Sequence, residues 1–251
     1  MTAMVQTQQS IAQPRAPSIG ERVAALDWTT ILSDLDDHGC ATTGPLLTIK
    51  ECTALVESYG SDELFRSRIV MAQHGFGRGE YKYFAYPLPQ IVAALRDSLY
   101  PLLAQFANQW NKALGVDLTY PTTHAAYLRR CRADGQGKPT PLLLRYGPGD
   151  LNCLHQDLYG ENIFPLQVAF LLSQPEQDFT GGEFVLTEQR PRMQSRAEVV
   201  QLGQGEGVIF PVNHRPVRGT RGIYRVNMRH GVSRLRSGRR HTLGIIFHDA
   251  V

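Results

Sequence analysis

The strongest constraint on this chain is a change of texture after Pro139. From there, short apolar runs follow one another between turn signals: PLLLRY, FPLQVAFLLS, GGEFVLTE, AEVVQL, GVIFPV, IYRVNM and HTLGIIFH. Each is of strand length, and β-branched or aromatic residues recur in them. Strands without long helices between them point to a β-sandwich or barrel.

The first half reads differently. Residues 25 to 60 read as helical, with Thr48 to Tyr59 as an amphipathic helix stopped by Gly60. Leu88 to Leu114 reads as one long helix or two, with Pro101 as the break or a first-turn residue. Phe65 to Pro89 reads as a loop or hairpin rich in aromatics. The expected class is α+β, a β-sandwich or barrel in the C-terminal half with helices packed on one outer face. Residues 1–24 are expected to be a flexible polar lead-in. Residues 25–251 are expected to form a single domain, with helical support over about 25–138 and the β core over about 139–251.

Some classes are disfavoured. No apolar run approaches the ~20 residues of a membrane helix, so no membrane partner is expected. The N-terminus lacks the apolar stretch of a secretory signal. Cys40, Cys52, Cys131 and Cys153 form no C-x-x-C pair. A cytoplasmic protein with reduced thiols is the expectation. Net charge is only +3, yet twelve arginines lie between Arg190 and Arg240, where the only acids are Glu198 and Glu206. Arginine is the better bidentate partner for carboxylate and phosphate, so this segment is expected to meet an anion, against the plainer reading of a solvated face.

The chemistry centres on Leu154-His155-Gln156-Asp157, after a strand-like run and the turn Gly147-Pro148-Gly149-Asp150. In an extended chain residues i and i+2 share a face, so His155 and Asp157 can hold one metal ion from one side. Two histidines and one carboxylate leave open positions and suit non-haem Fe(II). An H-x-D triplet recurs by chance, so a third ligand and an anion anchor are required. The C-terminal stretch offers both: His230, a turn with Gly238, and Arg240 at the start of an apolar strand, read together as a hairpin.

This arrangement resembles the double-stranded β-helix dioxygenases that use Fe(II) and 2-oxoglutarate, including the prolyl-hydroxylase-like group. The matching residues are Tyr146, His155, Asp157, Gly181-Gly182-Glu183-Phe184, Gly207-Val208-Ile209-Phe210, His230-Gly231-Val232, Gly238 and Arg240, in that order. Over the whole chain the resemblance is closest to a bacterial oxygenase family described as acting on damaged DNA. It is carried by FRSRIVMAQHGFGRGEYKYFAYPLP, LHQDLYGENIFPLQVAFLLSQPEQDFTGGEFVLTEQRPRMQSR and YRVNMRHGVSRLRSGRRHTLGIIFHDA.

The resemblance implies that the β core is a jelly-roll. It also implies Fe(II) held by His155, Asp157 and His230, with 2-oxoglutarate and O2 consumed and succinate and CO2 released as a C–H bond is hydroxylated. Arg240 would pair with the far carboxylate of 2-oxoglutarate, and Tyr146 would either donate its hydroxyl there or pack in the core. His214, in FPVNHRPVRGTR, is the alternative third ligand, with Arg221 or Arg225 then binding the cosubstrate. Two substrate classes stay open. One is alkylated nucleic acid, with Tyr81, Tyr83, Phe84 and Tyr86 stacking on an exposed base and arginines on phosphates. The other is a protein or peptide side chain, hydroxylated as by a prolyl hydroxylase. The oligomeric state is not legible.

Overall fold

Each of the seven apolar runs after Pro139 is a strand, and all but the edge strand in AEVVQL bury at least one apolar face. The computed structural model describes residues 15–251. The helices are α1 (Ile19–Ala24), α2 (Trp28–Asp37), α3 (Ile49–Glu57), α4 (Gln90–Ala113) and α5 (His124–Ala133). The strands are β1 (Ala41–Pro45), β2 (Phe65–Val70), β3 (Gly77–Arg78), β4 (Glu80–Phe84), β5 (Leu142–Tyr146), β6 (Leu151–His155), β7 (Leu166–Leu171), β8 (Phe179–Gly181), β9 (Phe184–Gln189), β10 (Arg196–Val200), β11 (Glu206–Pro211), β12 (His214–Gly219), β13 (Gly222–Val232), β14 (Leu235–Gly238) and β15 (Arg240–Ile246).

A large sheet runs β1-β11-β7-β15-β5-β4-β2. A second runs β10-β9-β13-β6-β3, with β12 on β13, and β14 pairs with β8. The two sheets face each other: Ala169, Leu171, Val208 and Phe210 of the large sheet share a core with Phe184, Leu186 and Val232 of the other. The opposite face of the large sheet meets the helices, where Leu143, Val168, Leu243 and Ile245 pack against Leu95, Leu99, Leu103 and Phe106 of α4. This is the double-stranded β-helix, with helices on one outer face as expected. No helix among the described residues is long and apolar enough to cross a membrane.

The N-terminal half departs from expectation in several places. Residues 1–14 of the expected lead-in lie outside the described residues, while Ile19–Ala24 is a helix, capped by Ser18 and Glu21 and buried through Ile19 and Val23. Residues 25 to 60 are not all helical. Ala41–Pro45 is the edge strand β1 on β11, since Gly44 and Pro45 cannot continue a helix and an edge tolerates proline. The Thr48 helix forms, with its capping box on Glu51. Pro101 sits inside the continuous α4, whose buried stripe offsets the roughly 3 kcal/mol that an interior proline costs. The aromatic segment supplies β2 and β4, an antiparallel pair that widens the large sheet. Helix α5 went unread because its sequence, HAAYLRRCRA, is mostly polar and buries only His124, Tyr127 and Cys131.

One buried ion pair ties the helices to the end of the chain. Arg96 on α4, 1% exposed, lies 3.0 Å from Asp249, which is fully buried. It also donates to the carbonyls of Ile246 and Phe247, both at 2.9 Å. Breaking a buried pair leaves one charge uncompensated, at a cost of about 3–5 kcal/mol. Asp249→Ala is therefore expected to lower the unfolding free energy by that amount, read as a lower urea midpoint with an unchanged denaturant slope. A change below about 1 kcal/mol, the range of exposed pairs, would contradict this role.

Candidate functional site

Alternation along β13 turns Val226, Met228 and His230 inward and leaves Arg225, Asn227 and Arg229 exposed. Pairing with β6 then sets His230 directly opposite His155. Asp157 lies just beyond the end of β6, where the chain turns into the space between the sheets. The Nε2 of His230 is 3.2 Å from Asp157 Oδ2, and the Nε2 of His155 is 3.5 Å from Asp157 Oδ1. One ligand atom from each of the three lies within 4.8 Å of the others, so together they could hold a single ion. His155 Nδ1 donates to the Cys153 carbonyl at 2.8 Å, which leaves the lone pair on Nε2. Burial alone would raise the pKa of Asp157, but the two histidines outweigh it and hold the carboxyl well below its usual range. Burial keeps His230 below the ordinary histidine value, whereas Asp157 lifts His155 above it in spite of burial.

His214 lies elsewhere. It begins β12, pairs across from Asn227, and is absent from the cluster. Arg221 and Arg225 are exposed on the outer side.

Arg240 enters from the opposite sheet. The expected hairpin between His230 and Arg240 does not form: the chain leaves β13, passes through β14 and crosses to β15 in the large sheet. Two strands of one hairpin would lie side by side, whereas these face each other across the interior. Gly238 allows the crossing, with φ of 76° and a backbone so close that a Cβ would come 1.9 Å from the Asp178 carbonyl oxygen. β15 pairs Arg240 opposite Tyr146 of β5. Along β15, Arg240, Thr242, Gly244 and Ile246 face the cavity, while Leu243 and Ile245 face the helices.

The cavity, about 240 Å³, also receives His155, Asp157, His230, Tyr146, Gln167 and Asn152. Arg240 is 2% exposed, and no carboxylate among the described residues pairs with it. Its Nη1 donates to Thr242 Oγ1 at 2.6 Å, and its Nε has no partner. The Tyr146 hydroxyl, Gln167 Nε2 and His230 Nδ1 are likewise buried without partners. Burial pushes the Tyr146 hydroxyl up to about 12. A buried guanidinium without an anion is expensive, so the cavity is chemically incomplete without a small acid. That fits a carboxylate-bearing cosubstrate, and two imidazoles with one carboxylate fit Fe(II).

The aromatic segment is mostly structural. Phe84 is in the helical core, and Tyr83 is buried. The Tyr86 hydroxyl donates to Asp249 at 2.8 Å, so it braces the buried ion pair. Of Tyr81, Tyr83, Phe84 and Tyr86, only Tyr81 lines the cavity: alternation along β4 turns Phe84 to the helical core, Tyr83 shares the face of Tyr81 farther along the strand, and Tyr86 lies beyond its end. Phe76 and Leu158, each 48% exposed, line the cavity instead and were not singled out in the sequence. Neither lies in a periodic run. Thr242 could have been found, two residues beyond Arg240 on the same strand face. His124 and His248 are both buried outside the cluster. Of the twelve arginines, Arg215 and Arg190 bind Glu188 at 2.5 and 2.7 Å, and Arg196 lies 3.9 Å from it. Beyond these and Arg240, the remaining eight are exposed and have no acidic partner among the described residues.

Comparison with known proteins agrees with this geometry. The Oxygenase-NA family, described as an oxygenase catalysing oxidative methylation of damaged DNA, matches residues 79–250. An uncharacterized protein of Mycobacterium tuberculosis is 50% identical over 167 residues, 66% of this chain and 72% of the relative. Among solved structures, a prolyl 4-hydroxylase from Phytophthora capsici superposes with a TM-score of 0.54 at 18% identity, covering 96% of this chain and 68% of the other. A prolyl-4-hydroxylase from Pseudomonas putida gives a TM-score of 0.51 at 13% identity, covering 89% of this chain and 99% of the other. At such identities the likeness is one of fold.

Proposed function

Because this chain belongs to the Oxygenase-NA family and is a dioxygenase of the Fe(II)- and 2-oxoglutarate-dependent superfamily, we propose that it hydroxylates an alkyl group on a nucleic-acid base, with iron held by His155, Asp157 and His230 and 2-oxoglutarate anchored by Arg240. The observation that carries the site reading is the buried Arg240, without an acidic partner among the described residues, facing the two-histidine, one-carboxylate cluster across one cavity. When bound, the iron and 2-oxoglutarate supply the oxidising power for inserting one oxygen atom of O2 into a C–H bond, with succinate and CO2 as co-products.

The protein's own part is binding, orientation and exclusion of water. Arg240 and the Tyr146 hydroxyl offer donors to the far carboxylate, and Thr242 steadies the guanidinium through Nη1. The apolar walls from Leu144, Ala169, Phe184 and Phe210 keep water from the reacting face. The histidines face the carboxylate through Nε2 because β6 and β13 fix their register.

The substrate reading is supported by two features. Eight exposed arginines without acidic partners could meet phosphates. Phe76 and Leu158 at the cavity present apolar surface on which a flat base can rest. Hydroxylation of an N-methyl group yields a hemiaminal, which releases formaldehyde and the restored base. A peptide side chain is the competing substrate.

Three outcomes are expected. His155→Ala, Asp157→Ala and His230→Ala each lower succinate formation by more than about 100-fold, since even outer-shell partners are worth about 10–100-fold, while His214→Ala leaves most of it. A dead His214→Ala with an active His230→Ala would reassign the third ligand.

Arg240→Ala raises the 2-oxoglutarate KM at least about thirtyfold, because a buried charged contact costs about 2–5 kcal/mol to break. Arg239→Ala, at an exposed position just before β15, leaves the KM near that of the wild type. Equal effects from the two variants would refute the anchor.

Methylated single-stranded or duplex DNA yields formaldehyde with iron-loaded protein, binds more weakly as salt rises, and is turned over less by Phe76→Ala. Peptide hydroxylation with no nucleic-acid binding at low salt would replace this substrate reading with the protein one.

A further inference from the structure

Asp157 is not held by a strand. It follows the last residue of β6, so something other than the ladder must aim its carboxylate. Its two oxygens have different neighbours. Oδ2 faces His230 Nε2 at 3.2 Å. Oδ1 accepts a hydrogen bond from the Tyr159 hydroxyl at 2.8 Å. An ionised carboxylate only accepts, so the proton in that bond is the phenol's, and the Tyr159 oxygen is left free to accept in turn. The Tyr83 hydroxyl lies 3.0 Å from it. Tyr83 is fixed in β4 of the large sheet, 8% exposed, with the Arg66 guanidinium 4.4 Å over its ring. A chain of two phenols therefore runs from the large sheet to one oxygen of the carboxylate. Donation by Tyr83 polarises Tyr159 and strengthens its own donation.

Although Oδ1 also lies 3.5 Å from His155 Nε2, we infer that Tyr159, backed by Tyr83, is a positioning residue that engages one lone pair of Asp157 Oδ1 and so favours Oδ2 as the oxygen that binds the metal ion. The inference rests on the iron-site reading given above. Its consequence is arithmetic. A carboxylate bound through one oxygen, together with two imidazoles, takes three positions of a six-coordinate ion. Three are left for a two-point chelator and O2. A carboxylate bound through both oxygens would take one of those three. The phenol also draws charge from the carboxylate and makes it a weaker donor.

The loop around Tyr159 does not depend on this hydroxyl. Gln136, 1% exposed, donates through Nε2 to the Tyr159 carbonyl at 3.0 Å and to the Asp249 carbonyl at 2.6 Å, and accepts from Asn162 N at 2.8 Å. Tyr159→Phe thus removes the hydrogen bond while the backbone and ring keep their places.

The experiment compares the full-length wild type with Tyr159→Phe and Tyr83→Phe without oxygen. Mn(II) binding is followed by electron paramagnetic resonance, and the visible charge-transfer band is recorded after adding Fe(II) and 2-oxoglutarate. Tyr159→Phe is expected to bind Mn(II) several-fold more tightly, because the freed carboxylate oxygen is a stronger donor. Its band should move to longer wavelength, because the freed oxygen gives more charge to the ion. Tyr83→Phe should shift both readouts in the same direction by less, with the urea midpoint of each variant near that of the wild type. A wild-type band that neither variant displaces overturns the inference, whatever happens to stability or turnover, and leaves the iron-site reading standing. A wild type that shows no band overturns the iron-site reading itself, and the inference falls with it.

Discussion

The antiparallel pairing of β13 with β6 is the constraint on which the site depends. It sets His230 across from His155, and the two-residue period of the strands turns both toward the interior. A slip of one residue would send His230 to the outer face, among Arg225, Asn227 and Arg229, and would remove Val226 and Met228 from burial at the same time. The apolar content of β13 thus guards the position of a polar residue. The same logic holds on the facing sheet, where β15 pairs Arg240 with Tyr146 and buries Leu243 and Ile245 on the other side.

These two registers belong to different sheets, and their opposition creates the cavity. One wall contributes a buried carboxylate flanked by two imidazoles. The other contributes a buried guanidinium with a phenol beside it. Within the wall at Asp157 the charges compensate each other, which is why its carboxyl stays ionised in spite of burial. Around Arg240 they do not, because Thr242 is neutral and Tyr146 keeps its proton. An interior that strands a cation in this way is poised for an anion: the free energy lost by desolvating Arg240 is recovered when a carboxylate arrives.

The helical layer keeps the large sheet in place. Leucines of α4 cover one face of β15 and β5. Arg96 gathers the carbonyls that follow β15, and Tyr86 and Asp249 complete its shell. His124 on α5 adds a bond to the Phe247 carbonyl at 2.8 Å. These contacts lie behind the strand that carries Arg240, so its guanidinium stands on a braced support rather than on a loop.

The sequence by itself determined the strands and the chemical vocabulary of the site. Period, β-branching and turn residues are local signals, and they marked all seven apolar runs, the H-x-D triplet and the amphipathic helix from Thr48. They also marked Tyr146 and Arg240 as residues to watch. The tertiary structure decided which of these meet. The local pattern favours His230 over His214, since an apolar strand follows the first and a second turn-rich stretch the second, but it leaves both open; the sheet pairing separates them, by placing one opposite His155 and the other opposite Asn227. It likewise withdrew Tyr83 and Phe84 from the surface, brought Phe76 and Leu158 to the cavity, and linked Tyr159 to Asp157. It turned the expected hairpin into a crossing between sheets and drew β1 out of a helical stretch. The reason is physical. A strand's period is written in neighbouring residues, whereas its register and its facing partner are set by contacts between segments distant in the chain, whose energies no short window contains.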